Sequence, residues 1–179
     1  MEAMMVNLPG RSPRELMIIS VTDNWLDLEF CDHLSRHVTY CMPHNFGANS
    51  NPDDNQTFYR ADFSLEDFHT KYMCRKLSRE VIKEDCLFTK VYANVQYRGM
   101  DGSFHLDDGD FTVLYMITPT LDGSGKFEYR DRGGIKKLDF VQNRLIVFVG
   151  GELQHRGMSP DSDLPRVTVA FKVNKQWQS

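Results

Sequence analysis

The chain has 179 residues, of which 41% are hydrophobic and 26% charged, close to ordinary globular usage and enough for about one domain with its own core. That excludes a collagen-like, coiled-coil or wholly disordered chain. Lys plus Arg number 21 and Asp plus Glu 25, for a net charge of −4, so the basic footprint of a nucleic-acid binder is missing and no nucleic-acid partner is expected.

The start carries no basic segment followed by an apolar core of signal-peptide type: only Leu16 to Ile19 are apolar, directly after Arg14 and Glu15. No apolar run approaches the roughly 20 residues needed to cross a bilayer. Cys31, Cys41, Cys74 and Cys86 form no C-x-x-C pair, which argues against a zinc ribbon. The expectation is a cytoplasmic protein with reduced cysteines and no membrane partner.

Met17 to Val21 read as a short strand. From Trp25 to Tyr40, Leu26, Phe30, Leu34 and Val38 recur every four residues, one face of an amphipathic helix, with Asp23 or Asn24 as N-cap. Residues 43–57 hold two Pro, four Asn and a Gly and read as a loop or mobile flap. Ser64 starts a second helix. Glu66 and Asp67 in its first turn suit the helix dipole, and Phe68, Tyr72, Leu77 and Val81 supply its apolar face. From Cys86 onward the pattern turns to period two. Strands are expected over 87–97, 111–118, 126–130, 135–140, 144–149 and 166–173, separated by Gly- and Asp-rich turns. Short strands at this spacing predict a sandwich or barrel, with the N-terminal helices packed on one outer face.

Six histidines are present: His33, His37, His44, His69, His105 and His155. His105 and Asp107 lie two apart in S-F-H-L-D-D-G-D, so on an extended segment they share a face. His155, in G-E-L-Q-H-R-G, follows the strand beginning at Arg144. Two histidines and one carboxylate on one face of a metal make the facial triad of non-haem iron(II) oxygenases. Alone, H-x-D is a weak signal, equally compatible with a solvated acidic turn. A calcium loop over Asp107, Asp108 and Asp110 is discounted, because the D-x-D-x-D-G order and the distal Glu are missing. Eleven residues after His155 comes Arg166, with Thr168 two further on and on the same face. An Arg fork beside a hydroxyl suits a carboxylate.

The order H-L-D, fifty residues, His155, then Arg166 and Thr168 resembles the Fe(II)/2-oxoglutarate-dependent oxygenases, and the local texture resembles their prolyl 4-hydroxylase-like branch. The runs V-Y-A-N-V-Q-Y-R-G, F-T-V-L-Y-M-I-T-P with G-S-G-K-F-E-Y, and R-L-I-V-F-V-G-G-E-L-Q-H-R are similar to that branch's strands around the metal motif. The resemblance spans about residues 87–174. It implies a mainly β fold with flanking helices (α+β), the double-stranded β-helix or jelly roll, a cupin-like barrel. It also implies a single oxygenase domain over 1–179, with 1–86 as helical flank and first strand and 87–174 as the core. By this resemblance His105, Asp107 and His155 bind Fe(II). Arg166 meets the distal carboxylate of 2-oxoglutarate, with Thr168, Tyr97 and Tyr115 as further cosubstrate contacts. The parity of the Tyr115 strand leaves an ordinary core tyrosine equally open.

The implied activity is hydroxylation of an unactivated C–H bond, with 2-oxoglutarate and O2 consumed, succinate and CO2 formed, and ascorbate a candidate accessory reductant. A prolyl residue in a peptide or protein ranks first as substrate, ahead of a free amino acid or small metabolite. A cupin oxygenase without 2-oxoglutarate would leave Arg166 unexplained. A non-catalytic jelly-roll binding module would not need all three ligands. Among the remaining residues, His44 is a candidate third imidazole. His33 and His37, at i and i+4, lack the carboxylate of H-E-x-x-H and read as a solvated helix face. Arg98, Arg130, Arg132 and Arg156 are candidates for steering an acidic substrate. Residues 43–57 and 130–135 are candidate lids, and the oligomeric state is open.

Overall fold

The computed structural model describes residues 18–49 and 56–176. The expected start of the first strand at Met17, and residues 50–55 of the candidate flap, lie outside them. Seven strands form one antiparallel sheet: β1 (Ile18–Thr22), β2 (Asn45–Ala48), β3 (Phe58–Asp62), β4 (Cys86–Gln96), β5 (Phe111–Met116), β8 (Arg144–Val149) and β10 (Arg166–Lys175), in the order β1-β8-β5-β10-β4-β3-β2. A smaller sheet, in the order β7-β6-β9, joins β6 (Phe127–Asp131), β7 (Gly134–Leu138) and β9 (His155–Gly157).

The period-two pattern of the long strands divides the interior into two layers. Val91, Ala93 and Val95 of β4, Val113 and Tyr115 of β5, and Val167, Val169, Phe171 and Val173 of β10 face one way and pack under the helices. Leu114, Met116, Ile146, Phe148 and Ala170 face the other way and meet Phe127 of the smaller sheet. Strands buried on both faces read as near-continuous apolar runs, as L-I-V-F-V of β8 does. This is the jelly roll expected, with helices on the outer face of the larger sheet.

The N-terminal segment departs from expectation. It supplies three strands of the larger sheet, not one. β3 went unrecognised because F-Y-R-A-D buries only Phe58 and Ala61, which leaves little alternation to read. Part of the expected 43–57 loop is β2, an edge strand paired with β3.

Helix α1 (Leu28–Arg36) starts later than predicted. Asp27 is its N-cap, accepting from the backbone N–H of Glu29 at 2.9 Å and of Phe30 at 3.3 Å. Asp23 is engaged elsewhere, taking two bonds from Arg144 at 2.6 and 2.9 Å, and Asn24 sits at φ 55°. Helix α2 (Phe68–Lys76) begins four residues after Ser64. It buries Thr70, Met73 and the following Leu77, while Phe68 is 75% exposed and Tyr72 is also exposed. Both helices end in a π-helical turn, His37–Cys41 and Leu77–Ile82.

Candidate metal centre and adjoining pocket

His105 and His155 are held together by their own backbones. The N–H of each donates to the carbonyl of the other, at 3.1 and 3.0 Å, outside the regular strand pairing. The Asp107 N–H donates to Gly150 O at 3.0 Å, which ties the H-x-D segment to the end of β8. A Cβ on Gly150 would stand 2.8 Å from the Gly109 carbonyl oxygen, so glycine permits this close approach.

The side chains converge. His105 Nδ1 lies 2.9 Å from Ser103 O, and His155 Nδ1 lies 2.9 Å from Leu153 O. A carbonyl only accepts, so each Nδ1 carries the hydrogen and each Nε2 presents a lone pair. The two Nε2 atoms stand 3.4 Å from Asp107 Oδ1 and Oδ2 respectively. Metal–ligand bonds of about 2.1 Å place neighbouring donors roughly 3.0–3.4 Å apart. Among the described residues, His105, Asp107 and His155 are the one group whose ligand atoms already lie within 4.8 Å of one another. The donors fit a divalent ion with two neutral imidazoles and one carboxylate, each imidazole oriented by a backbone carbonyl.

Asp107 has further partners. Thr112 Oγ1–H donates to its Oδ2 at 2.8 Å, and the Lys172 ammonium ion-pairs with the same oxygen. Burial alone would raise the Asp107 pKa. His105, His155 and Lys172 reverse this and hold it below the ordinary range of a carboxyl group. Burial pushes His155 down to about 4, favouring the neutral, ligating form. Lys172 was not foreseen, although parity could have found it: Arg166, Thr168, Ala170 and Lys172 alternate along β10 with the outward-packed Val167, Val169, Phe171 and Val173.

Arg166 is 2% exposed. Its Nε donates to Gly125 O at 2.8 Å, and Nη1 donates to Gln96 Oε1 at 2.7 Å and reaches Thr168 Oγ1 at 3.5 Å. All of these are neutral acceptors, and among the described residues it makes no ion pair. Burial pushes its pKa down to about 10, leaving it fully charged at neutral pH. A buried guanidinium without a counter-anion is costly. One narrow hollow, about 40 Å³, connects Arg166 and Thr168 to His105, Asp107 and His155. Gly157 borders it, and a Cβ there would be 2.7 Å from Arg166 Nη1 and 2.8 Å from Gln96 Oε1. A second hollow of about 370 Å³ opens from the triad past Phe58, Asn94, Arg60, Lys90 and Asp108. A larger open depression, about 870 Å³, lies over Ser78, Lys83 and Glu84. It holds none of the convergent ligands, so the chemistry belongs to the triad side.

Two expected cosubstrate residues lie outside this cavity. Tyr97 continues the outward parity of Val91, Ala93 and Val95. It is 37% exposed and packs edge-on against Tyr59 at 5.9 Å. Tyr115 faces the helices, where its hydroxyl donates to Asn143 Oδ1 at 2.9 Å and its ring meets Trp25 edge-on at 4.8 Å. Both placements follow from strand parity, which puts Tyr92, Asn94 and Gln96 on the cavity side instead. His44 does not join the triad; its Nε2 bonds Val38 O at 2.7 Å. The expected lid over 130–135 is the tight hairpin between β6 and β7. Arg130 and Arg156 both stack on the Phe104 ring at 4.5 Å, and Arg156 pairs with Glu128. Arg98 bonds the Asp161 carbonyl oxygen and faces Asp163.

No protein-family model matches the chain, and no curated protein matches it in sequence. Solved structures do match in fold. A 2OG-Fe(II) oxygenase family oxidoreductase from Burkholderia pseudomallei is 12% identical with a TM-score of 0.69, covering 89% of this chain and 86% of its own. A prolyl hydroxylase from Trichoplax adhaerens, in complex with a hypoxia inducible factor peptide fragment, is 15% identical with a TM-score of 0.66, covering 85% and 81%. HygX from Streptomyces hygroscopicus, with nickel, 2-oxoglutarate and hygromycin B bound, is 10% identical with a TM-score of 0.65, covering 89% and 84%. At such identities the likeness is one of architecture: the double-stranded β-helix is common to all, and roles of single residues rest on the geometry above.

Proposed function

From a chain that carries the double-stranded β-helix of the 2-oxoglutarate and iron(II)-dependent oxygenases, we infer that it is itself such an oxygenase. His105, Asp107 and His155 hold Fe(II), and Arg166 with Thr168 receives the distal carboxylate of 2-oxoglutarate. The observation that carries this reading is the buried, acid-free Arg166 at the far end of the hollow that begins at the triad. A metal site alone has no use for it. A dicarboxylate bound at one end to the metal would supply the missing counter-charge at the other.

When bound, Fe(II) with 2-oxoglutarate and O2 supplies oxidation of an unactivated C–H bond, the keto acid leaving as succinate and CO2. The chain's own residues position and shield. Ser103 O and Leu153 O fix the imidazole tautomers. Thr112 and Lys172 occupy Asp107 Oδ2 and leave Oδ1 for the metal. Leu114, Phe127 and Ala170 line the inner hollow and exclude water. A diacid carboxylate reaching Arg166 would compete with the Gln96 carbonyl oxygen for Nη1.

The substrate would enter by the outer hollow. A prolyl residue of a peptide or protein is the first candidate, supported by the prolyl hydroxylases among the similar folds. The charged rim of Arg60, Lys90 and Asp108 favours a second reading, a free amino acid or small polar metabolite. The test is incubation with Fe(II), 2-oxoglutarate and ascorbate. Slow succinate formation without substrate and a weak metal-to-ligand absorption band without O2 are expected; absence of both overturns the reading. Mass spectrometry of Pro-rich peptides against free amino acids, for a gain of one oxygen, ranks the two substrate classes.

A further inference from the structure

His33 and His37 share one face at the end of α1, and the fold brings His69 of α2 to them. The ring centroids form a triangle of 5.4, 5.4 and 6.3 Å. With metal–nitrogen bonds of about 2.0–2.1 Å and tetrahedral angles, three imidazoles around one ion have centroids roughly 5.3 Å apart. At the octahedral angle of about 90° the separation falls to roughly 4.6 Å. His105 and His155, at 4.4 Å, match the octahedral value; His69 stands at the tetrahedral distance from both His33 and His37, whose own rings are 6.3 Å apart.

We propose that His33, His37 and His69 form a second divalent-metal site, selective for Zn²⁺ over ions that prefer octahedral geometry, which pins α1 to α2 on the outer face of the larger sheet. Three neutral nitrogen donors with a fourth position open to solvent are a familiar zinc environment. Burial, then His37 and His33, lower the His69 pKa, keeping it in the ligating form. His33 and His37 must draw together by about 1 Å and all three rings must turn to converge, since among the described residues only His105, Asp107 and His155 already have their ligand atoms within 4.8 Å. His33 is exposed and His37 and His69 are half-buried, so rotation about their side-chain bonds is open to them. Phe30 packs on both His69 and Tyr72, at 5.9 and 5.1 Å, so the helices are already in register and binding orders three side chains only.

This site is independent of the oxygenase reading, and the test separates the two. Metal-stripped protein is dialysed against micromolar Zn²⁺ and the bound metal counted by mass spectrometry. Wild type should bind two equivalents. His69→Ala should bind one and keep succinate formation once supplied with Fe(II). The double variant His105→Ala, His155→Ala should also bind one, and Zn²⁺ should raise its melting temperature. His33→Asn, a change at an exposed position, should give the same count as His69→Ala. No zinc bound by the double variant His105→Ala, His155→Ala, or an unchanged count in both His69→Ala and His33→Asn, overturns the proposal.

Discussion

The Lys172 ammonium ion-pairs with Oδ2 of Asp107, the carboxylate of the metal triad, deep between the two sheets. Both groups are nearly inaccessible, with side-chain exposures of 6% and 7%. Without a metal, Lys172 supplies the full positive charge that compensates Asp107. Removing one partner of a buried ion pair costs about 3–5 kcal/mol. Lys172→Met should therefore destabilise the metal-free protein by about that much. Saturating Ni²⁺ compensates Asp107 directly, so it should raise the melting temperature more in the variant than in wild type. Equal metal-induced shifts in thermal melts would show that Lys172 does not fill this role.

Arg166→Ala should leave metal affinity intact and weaken 2-oxoglutarate by about 1.5–3 kcal/mol, roughly 10- to 150-fold. Anaerobic titration of the absorption band of the Fe(II) protein measures it. Normal cosubstrate affinity in this variant would dismiss the carboxylate clamp.

Gly157→Ala tests the same clamp by steric means. The new Cβ would stand 2.7 Å from Arg166 Nη1 and 2.8 Å from Gln96 Oε1. Cosubstrate binding should fall while metal binding persists. Gly151→Ala is the control, because a Cβ there meets nothing within 4 Å; it should behave as wild type.

Tyr115→Phe should leave 2-oxoglutarate affinity unchanged and cost about 0.5–1.5 kcal/mol of stability, the worth of its bond to Asn143. A loss of cosubstrate binding measured by the same titration would return Tyr115 to the site.

Glu128 of β6 ties the smaller sheet together through Arg156 and Lys137, at 2.7 Å each. Burial raises its pKa, but Lys137 and Arg156 outweigh this and hold it below its ordinary value of 4.5. A depressed folded pKa means the stabilisation is present above the unfolded value and is lost as pH falls through the folded one. Glu128→Gln should cost about 1–2 kcal/mol at pH 7. In denaturant melts the gap to wild type should close between pH 4.5 and more acidic values; a pH-independent gap would show that packing, not charge, is lost.

Local order in the chain determined a large part of this protein. Six of the seven strands from Cys86 to Lys175 were legible because burial on alternating faces leaves a period-two record; β9, three residues long, is too short to leave one. His105 and Asp107 lie two apart on one extended segment and Arg166 and Thr168 on another, and with His155 between them that order resembles the Fe(II)/2-oxoglutarate-dependent oxygenases, from which the triad was read. What the tertiary structure alone decided were matters of facing and of distance between segments. Tyr115 sits in a strand apolar on both faces, and parity within such a strand does not say which side holds the cavity. Only the helices packed on Val113, Tyr115 and Ile117 assign that side. β3 was missed because two buried residues in five leave no period to read. Lys172 and Gln96 gain their roles from Asp107 and Arg166, 65 and 70 residues away along the chain. The same holds for His69, which reads as an isolated helical histidine until α2 folds against α1 and sets it between His33 and His37.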